Sequence, residues 1–391
     1  MSGSSQWGWA IRVTTVDENR ELRRIIFDRI HETGKIPFSE FMDLCLYHPI
    51  HGYYNTMKEK IGKRGDYYTN PTVHSVFGRL LGRQLMEMAE LLGKGPFWVV
   101  EAGAGKGTLA QNILDVVAQE YPSLFERLRY GIVDRSPSFM EEQKARLAPH
   151  GEKVEWLDLH EVEAVTLQGC FLANEFADAF PVHRVVFEKG KLQEIYVTEE
   201  AGSFREILGD PSTDEIPQYF DDLGIRLDEG QGAEVNLAVL KWFDRVGRAM
   251  RRGFLLIIDY GYMAQDLYDF RRLSGTLSCY FRHTCSNDPY RHIGLQDMTS
   301  HVNFSGLIKK GESMGFFFTG FVPQYQFLLS LGFLDEVGRL RERGLSPEDS
   351  LMECLTMKRL ILPNGGMGDT FKVLIQHKGI SVVHLRGLRP L

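Results

Sequence analysis

Between Phe97 and Thr108 the chain reads FWVVEAGAGKGT, the stretch whose residue types and spacing point most directly to chemistry. An acid, Glu101, stands two residues before Gly103, and Gly105 and Gly107 follow at alternate positions. Glycines so spaced let a backbone take positive φ and come close to a ligand, and a helix starting just after them offers its free N–H groups. In a dinucleotide fingerprint the third glycine comes one residue later. A carboxylate beside the turn is also a poor neighbour for pyrophosphate and a good one for an ammonium group.

S-adenosylmethionine, which becomes S-adenosylhomocysteine once its methyl group is given up, carries both an ammonium and a sulfonium. The glycine stretch resembles the first motif of the class I methyltransferases. Three later acidic or amide groups follow apolar runs in the same way. Asp134 is placed to accept both ribose hydroxyls of an adenosine, as the acidic residue of dinucleotide folds does. Asp158 is placed to meet the adenine edge. Asn174-Glu175-Phe-Ala-Asp178 is the stretch expected to face the transferred methyl group. If it turns into a helix, Glu175 and Asp178 stand three apart and share a face. Two carboxylates there hold a cationic acceptor, and an arginine guanidinium is the best geometric match. The competing reading has Asp178 capping a helix and Glu175 packing against Arg184.

These groups must be carried by regular elements. Phe97–Val100, Tyr130–Val133, Val154–Leu157, Cys170–Ala173 and Phe254–Ile258 are short apolar runs separated by stretches of helical periodicity. That alternation predicts a Rossmann-like α/β fold with a mostly parallel, seven-stranded sheet, whose ligands lie beyond the carboxyl ends of the strands. Ser136-Pro137 reads as the N-cap and first residue of a helix. Upstream, Leu22, Ile25, Ile26 and Ile30 make one helical stripe, Phe38, Phe41, Met42 and Leu46 a second, and residues 73–92 a third. Between them a loop rich in Tyr and Gly, from His48 through Gly52-Tyr53-Tyr54 to Gly65-Asp66-Tyr67-Tyr68-Thr69, is expected to form a flap over the ligand. We therefore expect a helical extension over 1–92, a methyltransferase domain over 93–377 and a tail over 378–391. Arg184–Phe187 and Leu192–Val197 form a hairpin opening an insertion over about 184–231, whose segment 199–231 reads as a surface excursion. Residues 263–303 read mostly as a lid-like loop.

Composition narrows the partners. A formal net charge of −7 argues against nucleic acid and for a basic protein or peptide. No run of eighteen apolar residues appears, so no membrane span is expected. The five cysteines are scattered, which points to free thiols and a reducing compartment. The spacing of Cys279, His283, Cys285 and His292 matches no common zinc site, so no metal is expected. Asp17, Glu18 and Glu21 break the acid-poor pattern of a transit peptide, and a cytoplasmic protein is the expectation.

Taken in order, the residues closely resemble one family, the MidA-like methyltransferases, which include a mitochondrial complex I assembly factor acting as a protein arginine methyltransferase. The matching stretches include Ile36-Pro-Phe-Ser-Glu-Phe-Met, Glu101 to Gly107, Asn174 to Val182, Ile258-Asp259-Tyr260-Gly261, Gln296-Asp297 and Gly368 to Leu374, and the resemblance runs from near residue 20 to near 377. It implies that Glu101, Gly103, Gly105 and Asp134 hold S-adenosylmethionine, with Asn174 and Glu175 near the methyl group. It implies as acceptor a protein arginine, in a respiratory-complex subunit. Ala177 and Ser278-Cys279 depart from the family pattern on the substrate side. A cofactor-binding assembly protein with little turnover, or a small-molecule methyltransferase, stays open beside this reading.

Overall fold

Among the described residues, three helices of ten residues or more precede the glycine stretch: α1 (Arg20–Thr33), α2 (Phe38–Tyr47) and α3 (Val76–Leu92). In α1, the Asn19 side chain accepts from the Leu22 N–H and Gly34 closes the helix with φ +80°, so both ends are satisfied locally. The computed structural model describes residues 18–56, 60, 66, 69–158, 167–340, 342, 344–363, 366–381 and 383–391. Residues 1–17 and, within the expected aromatic flap, Gly65, Tyr67 and Tyr68 lie outside the described residues.

The central sheet has strands β1 (Phe97–Ala102), β2 (Leu128–Val133), β3 (Val154–Trp156), β4 (Leu167–Asn174), β5 (Met250–Tyr262), β6 (Val302–Asn303), β7 (Phe317–Pro323) and β8 (Phe371–Lys378). Their order is β7-β8-β5-β4-β1-β2-β3, with two-residue β6 pairing off this path to the end of β5. The sheet therefore has eight strands where seven were expected. The pairings β3–β2, β2–β1, β1–β4 and β4–β5 are parallel, while β8 runs antiparallel to both β5 and β7. Phe254 to Ile258 in β5 are wholly buried, as a strand covered on both faces requires. One face is covered by α3 and by α4 (Thr108–Glu120), the other by helix α6 (Leu237–Ala249), with α5 (Pro137–Leu147) lying beyond β2.

A second, five-stranded sheet is built from Ile36–Pro37, His183–Glu188, Lys191–Glu200, Ser203–Gly209 and Gly232–Val235. The segment 199–231, expected to be a surface excursion, thus supplies a strand and a helix, Glu215–Leu223, that buries Ile216, Tyr219 and Phe220. Phe204 is the one buried residue of that strand, so its sequence carries no apolar alternation to mark it. Residues 278–299, expected to be a lid-like loop, contain a small three-stranded sheet, and Cys279, Met298, Leu277 and Ile293 pack with α1 and α2.

Candidate active site

The glycine turn sits at the carboxyl end of β1. Gly103, Gly105 and Gly107 all have positive φ (67°, 52° and 74°), so the turn needs residues without a Cβ penalty. A Cβ on Gly103 would also lie 2.5 Å from the Phe176 ring, so this glycine lets the β4 turn approach the β1 turn. Gly107 is the N-cap of α4, whose first N–H groups face the same end of the sheet.

A pocket of about 900 Å³ opens at these strand ends. That lies near the top of the ~300–1,000 Å³ range of ligand pockets, room for a nucleoside and part of a second reactant. Its end beside the glycine turn is lined by Glu101, Gly103, Gly105, Asp134, Phe139 and Asp158. Glu101 is 3% exposed and accepts from the Tyr130 hydroxyl at 2.7 Å. Burial pushes its carboxyl up to about 7; the Tyr130 bond pulls it down and Asp134 pushes it further up. Asp134 follows β2 directly and is held by the Ser136 N–H (3.0 Å) and Gln143 Nε2 (2.8 Å), while burial raises its carboxyl above the usual range. Ser136 is the N-cap of α5 and accepts from the Phe139 N–H, as its place before Pro137 predicts. Asp158, after β3, is exposed at the pocket rim.

Asn174 ends β4, and its Nδ2 donates to Glu175 Oε1 at 3.2 Å. Its buried Oδ1 has no partner among the described residues, an acceptor left for a bound group. Glu175 lines the pocket in left-handed conformation (φ 50°), and its Oε1 also takes the Asn70 N–H at 2.6 Å. Burial and the nearby Asp178 raise the Glu175 carboxyl to about 8.

The expected shared helical face does not form, because residues 175–180 make a turn rather than a helix. Asp178 is directed away from the pocket lining and takes the Tyr260 hydroxyl instead. Arg184 pairs with Glu206, not Glu175. Unread in the sequence, though inside a family-like stretch, is Asp259. Wholly buried, its Oδ2 accepts from the N–H groups of Phe176 (3.1 Å), Ala177 (2.9 Å) and Asp178 (3.3 Å), fixing the turn that presents Glu175. Tyr54 of the aromatic loop lines the pocket and donates to buried Asp297 at 2.7 Å.

The other end of the pocket has an aromatic wall. Phe176 meets Phe180 and Trp242 edge-on, with centroids 5.0 and 4.9 Å apart. Facing groups come from α2 (Glu40, Asp43, Tyr47) and α6 (Lys241, Arg245).

A cradle of positive-φ glycines, a buried acid beside it and a second acid on the adjoining strand end fit an ammonium-bearing nucleoside. Comparisons with known proteins agree. A family model described as "Putative S-adenosyl-L-methionine-dependent methyltransferase" matches residues 80–322. The mitochondrial protein arginine methyltransferase NDUFAF7 homolog of Drosophila melanogaster is 27% identical over 389 residues, covering 91% of this chain and 85% of that protein. The human mitochondrial protein arginine methyltransferase NDUFAF7 is 26% identical over 341 residues, covering 80% and 73%. A COG1565 superfamily member from Burkholderia thailandensis, crystallised with S-adenosyl-homocysteine, is 30% identical with a TM-score of 0.84 over 94% of each chain.

The fly and human relatives are named as mitochondrial, which overturns the expectation of a cytoplasmic protein. Scattered cysteines do not tell one compartment from another, so the cysteine pattern had no power to choose. No helix among the described residues is long and apolar enough to cross a membrane. The cofactor is S-adenosyl-L-methionine, and the chain belongs to the family of S-adenosyl-L-methionine-dependent methyltransferases, of the MidA-like kind.

Proposed function

We propose that this methyltransferase modifies an arginine side chain of a protein. The observation that carries the reading is Glu175: a carboxylate at the end of β4, fixed by the Asn70 N–H and Asn174, with Oε2 left without a partner among the described residues. The names of the relatives support an arginine acceptor, and the resemblance points to a respiratory-complex subunit as its bearer. The sheet order, with β8 antiparallel among otherwise parallel neighbours, supports a class I core. Within it, residues 93–377 form the catalytic body and residues 18–92 the acceptor-side cover.

When bound, S-adenosylmethionine supplies an electrophilic methyl carbon and a neutral thioether as leaving group. Glu101 holds the ammonium, Asp134 the ribose hydroxyls, and the glycine turn admits the chain between them. Asp158 meets the adenine edge. Asn174 and Glu175 orient the acceptor nitrogen toward the methyl carbon, and holding two reactants in line supplies much of the rate. Two cations brought to ~4 Å repel by about 4 kcal/mol at an effective dielectric constant of ~20. Ionised Glu175 offsets that repulsion, and Asp178, buried beneath it, completes the acidic surroundings without touching the acceptor. The proton lost by the acceptor nitrogen has Glu175, raised to about 8, as a receiver within the pocket.

The test is labelling of an extract from cells lacking the protein with tritiated S-adenosylmethionine, followed by mass spectrometry for methyl-arginine. Wild type should label a discrete band and Glu175→Gln should not, with S-adenosylhomocysteine binding intact in both. Absence of any band, or equal labelling by Glu175→Gln, refutes the assignment and favours an assembly protein that binds cofactor without turnover.

A further inference from the structure

Helix α2 is amphipathic in an uncommon way. Phe38, Phe41, Met42, Cys45 and Leu46 are buried in the N-terminal core, while Ser39, Glu40, Asp43 and Tyr47 share the opposite face and line the pocket. Glu40 is tied to Arg29 at 2.6 Å. Asp43, one turn further on, stands at the pocket mouth with no hydrogen bond among the described residues, and the charge of Arg135, which also lines the pocket, acts on it. Lys241, tied to Glu215 at 2.7 Å, and Arg245 lie one turn apart on α6 and also line the pocket.

A cationic side chain entering past α2 meets the Asp43 carboxylate in competition with Arg135. The aromatic wall of Phe176, Phe180 and Trp242 then offers ring surface for a planar guanidinium or its methylene stem. At the bottom Glu175 waits with its unpartnered Oε2. The route thus has an acid at its entrance and an acid at its end.

We infer that Asp43 of α2, assisted by Glu40, is the specificity-determining entrance for a cationic acceptor side chain, which passes from it along the aromatic wall to Glu175. This rests on the arginine reading above and adds to it the residue that selects charge before chemistry. Asp43 makes no contact with Glu175 among the described residues, so it acts on acceptor binding and not on the transfer step.

The test uses the full chain saturated with S-adenosylhomocysteine and two small probes, N-acetyl-arginine amide and N-acetyl-citrulline amide, titrated calorimetrically. These are nearly isosteric and differ in charge. Wild type should bind the arginine probe at least tenfold more tightly than the citrulline probe. Asp43→Lys should weaken the arginine probe at least tenfold and Asp43→Asn less, while the affinity for S-adenosylhomocysteine and the melting temperature stay within error of wild type, showing an intact fold. If the arginine preference persists but Asp43→Lys leaves it unchanged, the entrance assignment fails and the arginine reading survives. If wild type binds both probes equally or neither, the arginine reading fails and takes the entrance with it.

Discussion

With Glu101 in the proposed role of holding the ammonium, cofactor binding should depend on pH. An ammonium is held by the ionised carboxylate, yet burial has pushed this group up to about 7 in the ligand-free protein. About one Glu101 in eleven is then ionised at pH 6 and about three in four at pH 7.5. If only the ionised form binds, the apparent Kd for S-adenosylhomocysteine falls about eightfold over that interval, ~1.3 kcal/mol. Calorimetry near pH 7 in two buffers of different ionisation enthalpy should show release of about half a proton per ligand bound, since binding pulls the carboxyl down. For the ligand-free protein the sign is opposite. A carboxyl raised in the folded state contributes stability that is full below the unfolded value near 4.5 and is lost as pH rises through about 7. Thermal stabilisation by added ligand should therefore be larger at pH 7.5 than at pH 6. Asp134 and Glu175 are raised in the same pocket, so the control is Glu101→Gln, which should bind more weakly and lose the slope. A wild-type Kd that is flat within twofold, or an unchanged slope in Glu101→Gln, refutes the role given to Glu101.

Other perturbations follow from the same geometry. Tyr130→Phe removes the hydroxyl that pulls the Glu101 carboxyl down, so the midpoint of the affinity–pH curve should move upward; an unmoved midpoint would show the bond at 2.7 Å to be inconsequential. Gly103→Ala forces a Cβ to 2.5 Å from Phe176 at φ 67°, and left-handed backbone alone costs an alanine ~1–2 kcal/mol, so calorimetry should show a lower melting temperature and cofactor affinity reduced at least tenfold. Asp259→Ala orphans four backbone N–H groups, those of residues 176–178 and of Tyr260, and should lower stability in urea titrations by at least ~3 kcal/mol, whereas Asp259→Asn, which keeps one acceptor oxygen, should retain most of it.

What the chain alone determined is whatever local sequence fixes. Glu101 and Gly103 are two residues apart on one strand–turn unit, so their meeting at the pocket needs nothing distant. Asp134 and Asn174 close apolar runs that became β2 and β4, and Ser136 caps α5, because strand ends and caps are set within a few residues. Tertiary structure decided which of these groups face the ligand. Asp178 left the pocket for Tyr260, 82 residues later, because Asp259 gathers the N–H groups of residues 176–178 into a turn where spacing alone allowed a helix. Glu175 gained the N–H of Asn70, 105 residues earlier, and Asp43 reached the mouth only because the apolar face of α2 packs into a core shared with residues 277–298. Periodicity reports that a face will be buried but not against what, and so it located the strand ends that meet at the pocket and left the rest of the lining to packing.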